Sequence, residues 1–308
     1  MTVTPIDRRK ASAWLGVDWS EHRRWVRVQG RWANVVDVGS GPAILFIHGL
    51  GGNWQSWLEN LPAFMDGHRV VAMDLPGFGH SEMPRERITI DGYASWLAAL
   101  MDELGIDRAT LVGNSMGGFI GADAAVNQPD RIDKLVLVSA AALWNERRRA
   151  RPLVTLSKLT KAYSTKLAAQ WELAHRHPNL RGPILFQTGI RHPRRLAPEL
   201  AWEIMSGAGS PGFADALEAL YRHRIRDDLE RISCPTLIVW GTHDQLVPLK
   251  HAFEYEAMIE DARVVVYHDT GHLPMLERPA EFNAELAQFL ASDLAARKQP
   301  ATSPAQAR

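Results

Sequence analysis

The chain reads as an α/β protein, a mostly parallel, doubly wound sheet with an inserted helical cap. Three observations predict it. Short apolar runs alternate with helical stretches up to residue 140, and the alternation resumes after residue 234. Between them, residues 141–226 carry helix signals and no convincing strand. Strand–helix alternation is the signature of a parallel sheet whose strands are joined by crossover helices.

Arg24–Gln29 and Trp32–Val38 are β-rich segments joined through Gly30, and they read as an antiparallel hairpin at one sheet edge. Ala43–Ile47, Val70–Met73, Thr110–Val112 and Lys134–Val138 are short, continuous apolar runs, as strands buried on both faces should be. Helices are predicted between them over Trp54–Met65, Ile90–Leu104 and Met116–Asn127. In the cap, Pro198 opens a helix over Glu199–Ser206 closed by Gly207, and Phe213–His223 follows Pro211 and Gly212. Thr236–Trp240 and Arg263–Tyr267 are the last strands, and Ala280–Leu294 is the closing helix. The expected organisation is an N-terminal extension (1–23), a core (24–140 and 227–296), a cap (141–226) and a disordered tail (297–308).

Composition narrows the function. The 308 residues are 46% hydrophobic and 23% charged, which suits a packed globular core. A formal net charge of zero argues against a general nucleic-acid binder. A single cysteine excludes a disulfide framework and any multi-cysteine metal site. No apolar run approaches the roughly 20 residues of a membrane span, and residues 1–20 lack the pattern of a secretory signal, so a soluble, cytoplasmic protein is expected. The charge is unevenly spread. Residues 141–226 hold 15 Lys+Arg against 6 Asp+Glu, a balance of +9, and His175, His177, His192 and His223 would add to it below about pH 6.

Gly113-Asn114-Ser115-Met116-Gly117 follows a predicted strand and opens a predicted helix. A tight strand-to-helix turn needs small residues around a strained nucleophile, and it sets the Met116 N–H at a helix N-terminus, where negative charge is stabilised. His48-Gly49-Leu50-Gly51-Gly52 follows another strand, and Leu50 is the expected second oxyanion donor. Its glycines do not make a dinucleotide fingerprint, because Trp54 stands where the third glycine belongs. His48 itself is expected to hold the loop. A serine nucleophile needs a base and an orienting acid. His272, in Asp269-Thr270-Gly271-His272 after the last strand, and Asp244, in Asp244-Gln245-Leu246-Val247-Pro248 after the previous one, fill those positions. The His268/His272 spacing lacks the intervening Glu of a metal motif, and Gly271 disfavours a helix there, so neither metal nor organic cofactor is expected.

These motifs, together with Asp74-Leu75-Pro76-Gly77-Phe78-Gly79-His80-Ser81 and Gly118, resemble the α/β-hydrolase superfamily over roughly residues 24–295. The resemblance implies a Ser115–His272–Asp244 hydrolase with a helical cap shaping the pocket, which Gly49, Asn114, Phe119, Trp144 and Leu273 are expected to line. The serine departs from the dehalogenase and epoxide-hydrolase pattern, which has aspartate there. Carboxylesterases and monoacylglycerol-lipase-like enzymes share the elbow with carbon–carbon hydrolases of aromatic ring-cleavage products. The latter usually place tryptophan after the histidine, and here Leu273 stands there. Hydrolysis of esters with apolar acyl groups is therefore the expected activity, with carbon–carbon hydrolysis and a non-catalytic ligand-binding role as alternatives.

Three further features invite expectations. Cys234 reads as a buried, inert thiol, and Trp14, Trp19, Trp25 and Trp32 as residues packed against the sheet, with a membrane-surface position as the alternative. Arg147, Arg148, Arg149 and Arg151 read as a solvated face, or as an attractor for anionic substrates or weak contact with an anionic membrane. The expected partner is a small ester or lipid.

Overall fold

The computed structural model describes residues 12–141, 169, 173, 177–180, 189–205 and 209–292. The expectations for Trp144, Arg147, Arg148, Arg149, Arg151 and the tail 297–308 lie outside the described residues.

A hairpin opens the sheet: β1 (Arg23–Val28) and β2 (Arg31–Val38) pair antiparallel in the register Val28↔Arg31. Gln29 and Gly30 make its two-residue turn with φ of 50° and 76°. Two positive φ values give the primed turn whose twist matches the strands it joins. The parallel strands are β3 (Ala43–Ile47), β4 (Arg69–Met73), β5 (Ala109–Asn114), β6 (Ile132–Val138), β7 (Thr236–Gly241) and β8 (Ala262–Tyr267). The order across the sheet is β1-β2-β4-β3-β5-β6-β7-β8, with β2 antiparallel to both neighbours.

The α-helices whose full length falls among the described residues are α1 (Ile90–Glu103), α2 (Met116–Asn127), α3 (Pro198–Met205), α4 (Phe213–Arg222), α5 (Lys250–Met258), α6 (Pro274–Glu277) and α7 (Pro279–Ala291). The alternation of side chains along each strand feeds two cores. Leu45 and Ile47 of β3 pack with Leu111, Leu135 and Ile120 on one face. Ile44 and Phe46 pack with Val112, Val136 and the α7 residues Phe282, Leu286 and Phe289 on the other. Burying a side chain such as Phe46 completely contributes about 1.5–3 kcal/mol.

Three expectations are corrected. The helix over Trp54–Met65 is two short 3-10 pieces, Trp54–Trp57 and Leu61–Ala63. Pro62 has no N–H to continue a helix, and Asn60 turns inward to donate to the Met275 carbonyl and Asn283. Trp14 is buried and Trp19 packs at a tilt against Trp54, ring centroids 5.7 Å apart, but Trp25 and Trp32 are 54% and 48% exposed. They lie on the outward face of the edge hairpin, whose inward face carries the buried Val26 and Val28. Cys234 is only partly buried, though desolvation still pushes its thiol up to about 11, which keeps it protonated and unreactive.

The chain leaves the sheet after β6 and returns to it at β7, and α3 and α4 lie in the intervening segment. No described helix is long and apolar enough to cross a membrane.

Candidate active site

In a parallel sheet the loops leaving the C-terminal strand ends converge above one edge of the sheet, and ligands bind there. The loops after β3, β5, β7 and β8 bring Gly49–Leu50, Ser115, Asp244 and His272 to that edge.

Ser115 stands between β5 and α2 with φ 53° and ψ −115°, a backbone conformation that a non-glycine residue adopts only at a cost. The turn survives because its flanks have no side chains. A Cβ on Gly113 would lie 2.3 Å from the Gly117 carbonyl oxygen, and one on Gly117 would lie 2.2 Å from that of Ile47. The elbow is pinned by Ser115 N–H donating to the Val138 carbonyl at 2.9 Å, and by Ala141 N–H donating to the Ser115 carbonyl at 3.0 Å. Met116 is the first residue of α2, so its N–H has no acceptor within the helix. Gly49 borders the nucleophile closely, since a Cβ there would lie 3.1 Å from the Ser115 Cβ.

His272 is 4% exposed, and its Nδ1 lies 2.8 Å from Asp244 Oδ2. The Asp244 carboxylate is fully shielded from solvent. Its other oxygen accepts the N–H groups of Leu246 and Val247, each at 2.9 Å, which fixes the carboxylate plane. A carboxylate on Nδ1 makes that nitrogen the protonated one and leaves Nε2 free to accept a proton.

His48 plays a different part. It is fully buried, and Leu75 N–H donates to its Nε2 at 3.0 Å, so Nδ1 carries the proton and donates to the Gly49 carbonyl at 2.7 Å. Burial pushes its pKa down, so the ring is neutral and holds the loop, as expected of it.

Asn114 is 2% exposed, and its amide nitrogen donates to the carbonyls of Val138 and His272 at 3.1 and 3.3 Å. That ties the elbow to the histidine loop. Phe119 is buried edge-on to His223, with ring centroids 5.6 Å apart. Leu273 is half-buried against Ile190 and Ala201.

Two carboxylates matter more than sequence reasoning indicated. Asp74, buried completely, accepts Trp54 N–H on one oxygen and Asn34 Nδ2 and His80 N–H on the other, binding the edge hairpin to the site loops. Glu277 holds the loop that carries His272. The available signal was an acid standing alone after the apolar run Leu273–Leu276. Among the described residues no group of three or more His, Cys, Asp or Glu is placed to hold a metal.

The family model described as alpha/beta hydrolase fold matches residues 42–279. A dihydrolipoyllysine-residue acetyltransferase component of the acetoin cleaving system from Cupriavidus necator is 32% identical over 82% of this chain, which spans only 64% of that protein's length. A 2-hydroxy-6-oxononadienedioate/2-hydroxy-6-oxononatrienedioate hydrolase from Comamonas testosteroni is 30% identical over 83% of this chain and 90% of its own. Among solved structures, a bromoperoxidase from Bacillus anthracis superposes with a TM-score of 0.72 at 26% identity, covering 88% of this chain and all of that one. With a motif-bearing elbow, a His–Asp pair and this match, the chain belongs to the alpha/beta hydrolase fold family.

Proposed function

We propose that the chain is a serine hydrolase acting at a carbonyl carbon, and that the bond it cleaves is the carbon–carbon bond of a 2-hydroxy-6-oxo-dienoate. The chemical half rests on one observation, the His272–Asp244 pair at 2.8 Å on the same sheet edge as a serine held at positive φ. The choice of substrate rests on the relatives of nearly matching length that are named for such hydrolyses.

Ser115 Oγ adds to the carbonyl carbon while His272 Nε2 takes its proton and Asp244 steadies the imidazolium. The N–H groups of Leu50 and Met116 receive the oxyanion. Where the leaving group is carbon, its electron pair needs a sink. The substrate supplies one after the enol proton leaves O2 and C5 gains a proton. When C5–C6 then breaks, the pair runs through the remaining double bond to the C2 carbonyl, and protonation there gives a dienol acid. Water repeats the addition at the Ser115 ester and releases the second acid. The +9 balance of residues 141–226 suits a substrate that carries a carboxylate.

Ester hydrolysis is the second reading, and Leu273 favours it. With Ile190, Ala201, Leu196 and Ile204 it makes an apolar cluster beside His272, suited to an acyl chain at about 0.8 kcal/mol per buried methylene. The two are separated by assaying a ring-cleavage dienoate beside p-nitrophenyl esters of increasing acyl length. Dienoate kcat/KM at least a hundredfold above every ester supports the first reading. Rates that climb with acyl length, with the dienoate untouched, support the second. No turnover of either, with no phosphonate labelling of Ser115, leaves a binding role. Weak contact of the basic 141–226 segment with anionic lipid surfaces is a further proposal, tested by salt-sensitive sedimentation with anionic vesicles.

A further inference from the structure

Glu277 closes α6, five residues beyond His272, and its carboxylate is committed entirely to backbone. One oxygen accepts Gly271 N–H at 2.9 Å; the other accepts Arg191 N–H at 2.9 Å and His192 N–H at 3.3 Å. The nearby guanidinium groups turn elsewhere, Arg191 to Asp269 and Arg278 to Glu281. Desolvation pushes the Glu277 carboxyl above its ordinary value, against the pull of those three donors. A desolvated carboxylate is costly, and this one joins two segments far apart in sequence: the loop that bears His272 and residues 191–192 of the stretch inserted between β6 and β7.

The same two segments touch at their closest beside the imidazole. His272 N–H donates to the Gly189 carbonyl at 2.8 Å. Gly189 has φ 87°, and a Cβ there would lie 2.6 Å from the His272 Cβ. A Cβ on Gly271 would lie 2.1 Å from the Gly189 carbonyl oxygen. The approach of the two backbones is therefore close enough to exclude a methyl group on either side, and Glu277 is the side chain that bonds to both.

We infer that Glu277 is a positioning residue for His272: it clamps the histidine loop to residues 189–192, so that the inserted segment sets where the imidazole stands. This rests on the reading of His272 as the base for Ser115. It extends that reading by making the insertion part of the apparatus that aligns the base, and not only a cover for the pocket. A glutamine at 277 keeps the size but turns one acceptor oxygen into an NH2 group facing a backbone N–H, so one side of the clamp must open. Misplacing a catalytic group by about 1 Å costs on the order of a hundredfold.

The test is the rate at which a fluorophosphonate modifies Ser115, a readout that needs His272 as base but no knowledge of the substrate. Glu277→Gln, folded at the assay temperature by its thermal melt, is expected to label about ten- to a hundredfold more slowly at saturating reagent, with the half-saturating concentration within threefold of wild type. Gly189→Ala, which pushes on the same contact from the inserted side, is expected to show the same split. Because both act through one contact, the double variant should be at most twofold slower than the slower single. A Glu277→Gln protein that labels at the wild-type rate overturns the inference, as do single losses that multiply in the double. Should Glu277→Gln not fold, Gly189→Ala labelling at the wild-type rate overturns it equally. Failure of wild type to be labelled at Ser115 would instead sink the nucleophile assignment itself.

Discussion

Asp244→Asn separates the orienting role of Asp244 from its structural one, because the two carboxylate oxygens do different things. Oδ1 accepts two N–H groups, from Leu246 and Val247, while Oδ2 faces His272 Nδ1. An asparagine satisfies the two backbone donors only with its oxygen toward them, which turns its NH2 toward His272 Nδ1. That nitrogen must then be an acceptor, so the ring's proton moves to Nε2 and the base can no longer take the proton of Ser115. The opposite flip saves the tautomer but leaves two backbone donors facing an NH2, and the one on the buried Val247 alone costs about 1–3 kcal/mol. The first arrangement is therefore favoured, and the fold should survive with a dead base. The serine-protease template gives a loss of about four orders of magnitude in kcat, or about 5.4 kcal/mol of transition-state stabilisation. Steady-state turnover of whichever substrate is cleaved, with a thermal melt run beside it, reads both parts. A kcat within tenfold of wild type, in a protein whose melt is unchanged, would refute the assignment of Asp244.

Ser115→Ala and His272→Ala should each lower kcat by about four to six orders of magnitude, and the double variant should be little worse, since members of one unit lose their effect together; multiplicative losses would show that they act apart. Stability should fall on acidification, because burial holds the pKa of His48, and less completely that of His251, below the ordinary histidine range. The unfolded chain then takes up protons first, so this contribution is complete above about pH 6.5 and declines as the pH drops from there towards the folded value; urea melts from pH 8 to 5 should show it, with a shallower slope in His48→Gln. Ser139→Gly should stabilise the protein by up to about 1 kcal/mol, because Ser139 sits at φ 44° with a buried hydroxyl that has no partner among the described residues, against the greater chain entropy of glycine; a lower melting temperature would show that its hydroxyl is satisfied.

Most of the strands and the elbow were legible because each depends on local pattern. Ala43–Ile47 and Met116–Asn127 fall where apolar runs and glycine spacing put them. Asp244 and His272 were found by strand order and loop position, and the structure sets their side chains 2.8 Å apart. What was illegible depends on partners distant in sequence. The helix expected over Trp54–Met65 gives way because Asn60 finds acceptors more than two hundred residues away, at Met275 and Asn283. Trp25 and Trp32 alternate correctly for a strand, but alternation does not say which face a neighbouring layer covers. The role of Glu277 is illegible for the same reason, although an acid alone after an apolar run marks its position. Two of its three donors, Arg191 and His192, lie more than eighty residues before it, and no periodicity marks a side chain that binds only backbone.

The distribution of backbone strain makes the case for this edge of the sheet without reference to any motif. Among the described residues, Gln29, Ser115, Ser139 and Asp269 are the non-glycine residues at positive φ. Gln29 belongs to the hairpin turn, where the twist of the strands demands it. The other three stand at or just past the C-terminal ends of β5, β6 and β8. Each costs on the order of 1 kcal/mol or more, and strain of that kind persists only where surrounding contacts over-determine it. At Ser115 those contacts are the bonds to Val138 and Ala141, and at Asp269 the ion pair with Arg191, the hydrogen bond with His192 Nε2 and the bond from its own N–H to Thr242 Oγ1. Asp269 thus holds by side chain the same inserted residues that Glu277 holds by backbone. Two independent sets of bonds therefore tether residues 191–192 to the loop of His272, one through the half-exposed Asp269 and one through the more desolvated Glu277. Removing the Asp269 set alone should leave the Glu277 clamp, and the position of the imidazole, in place.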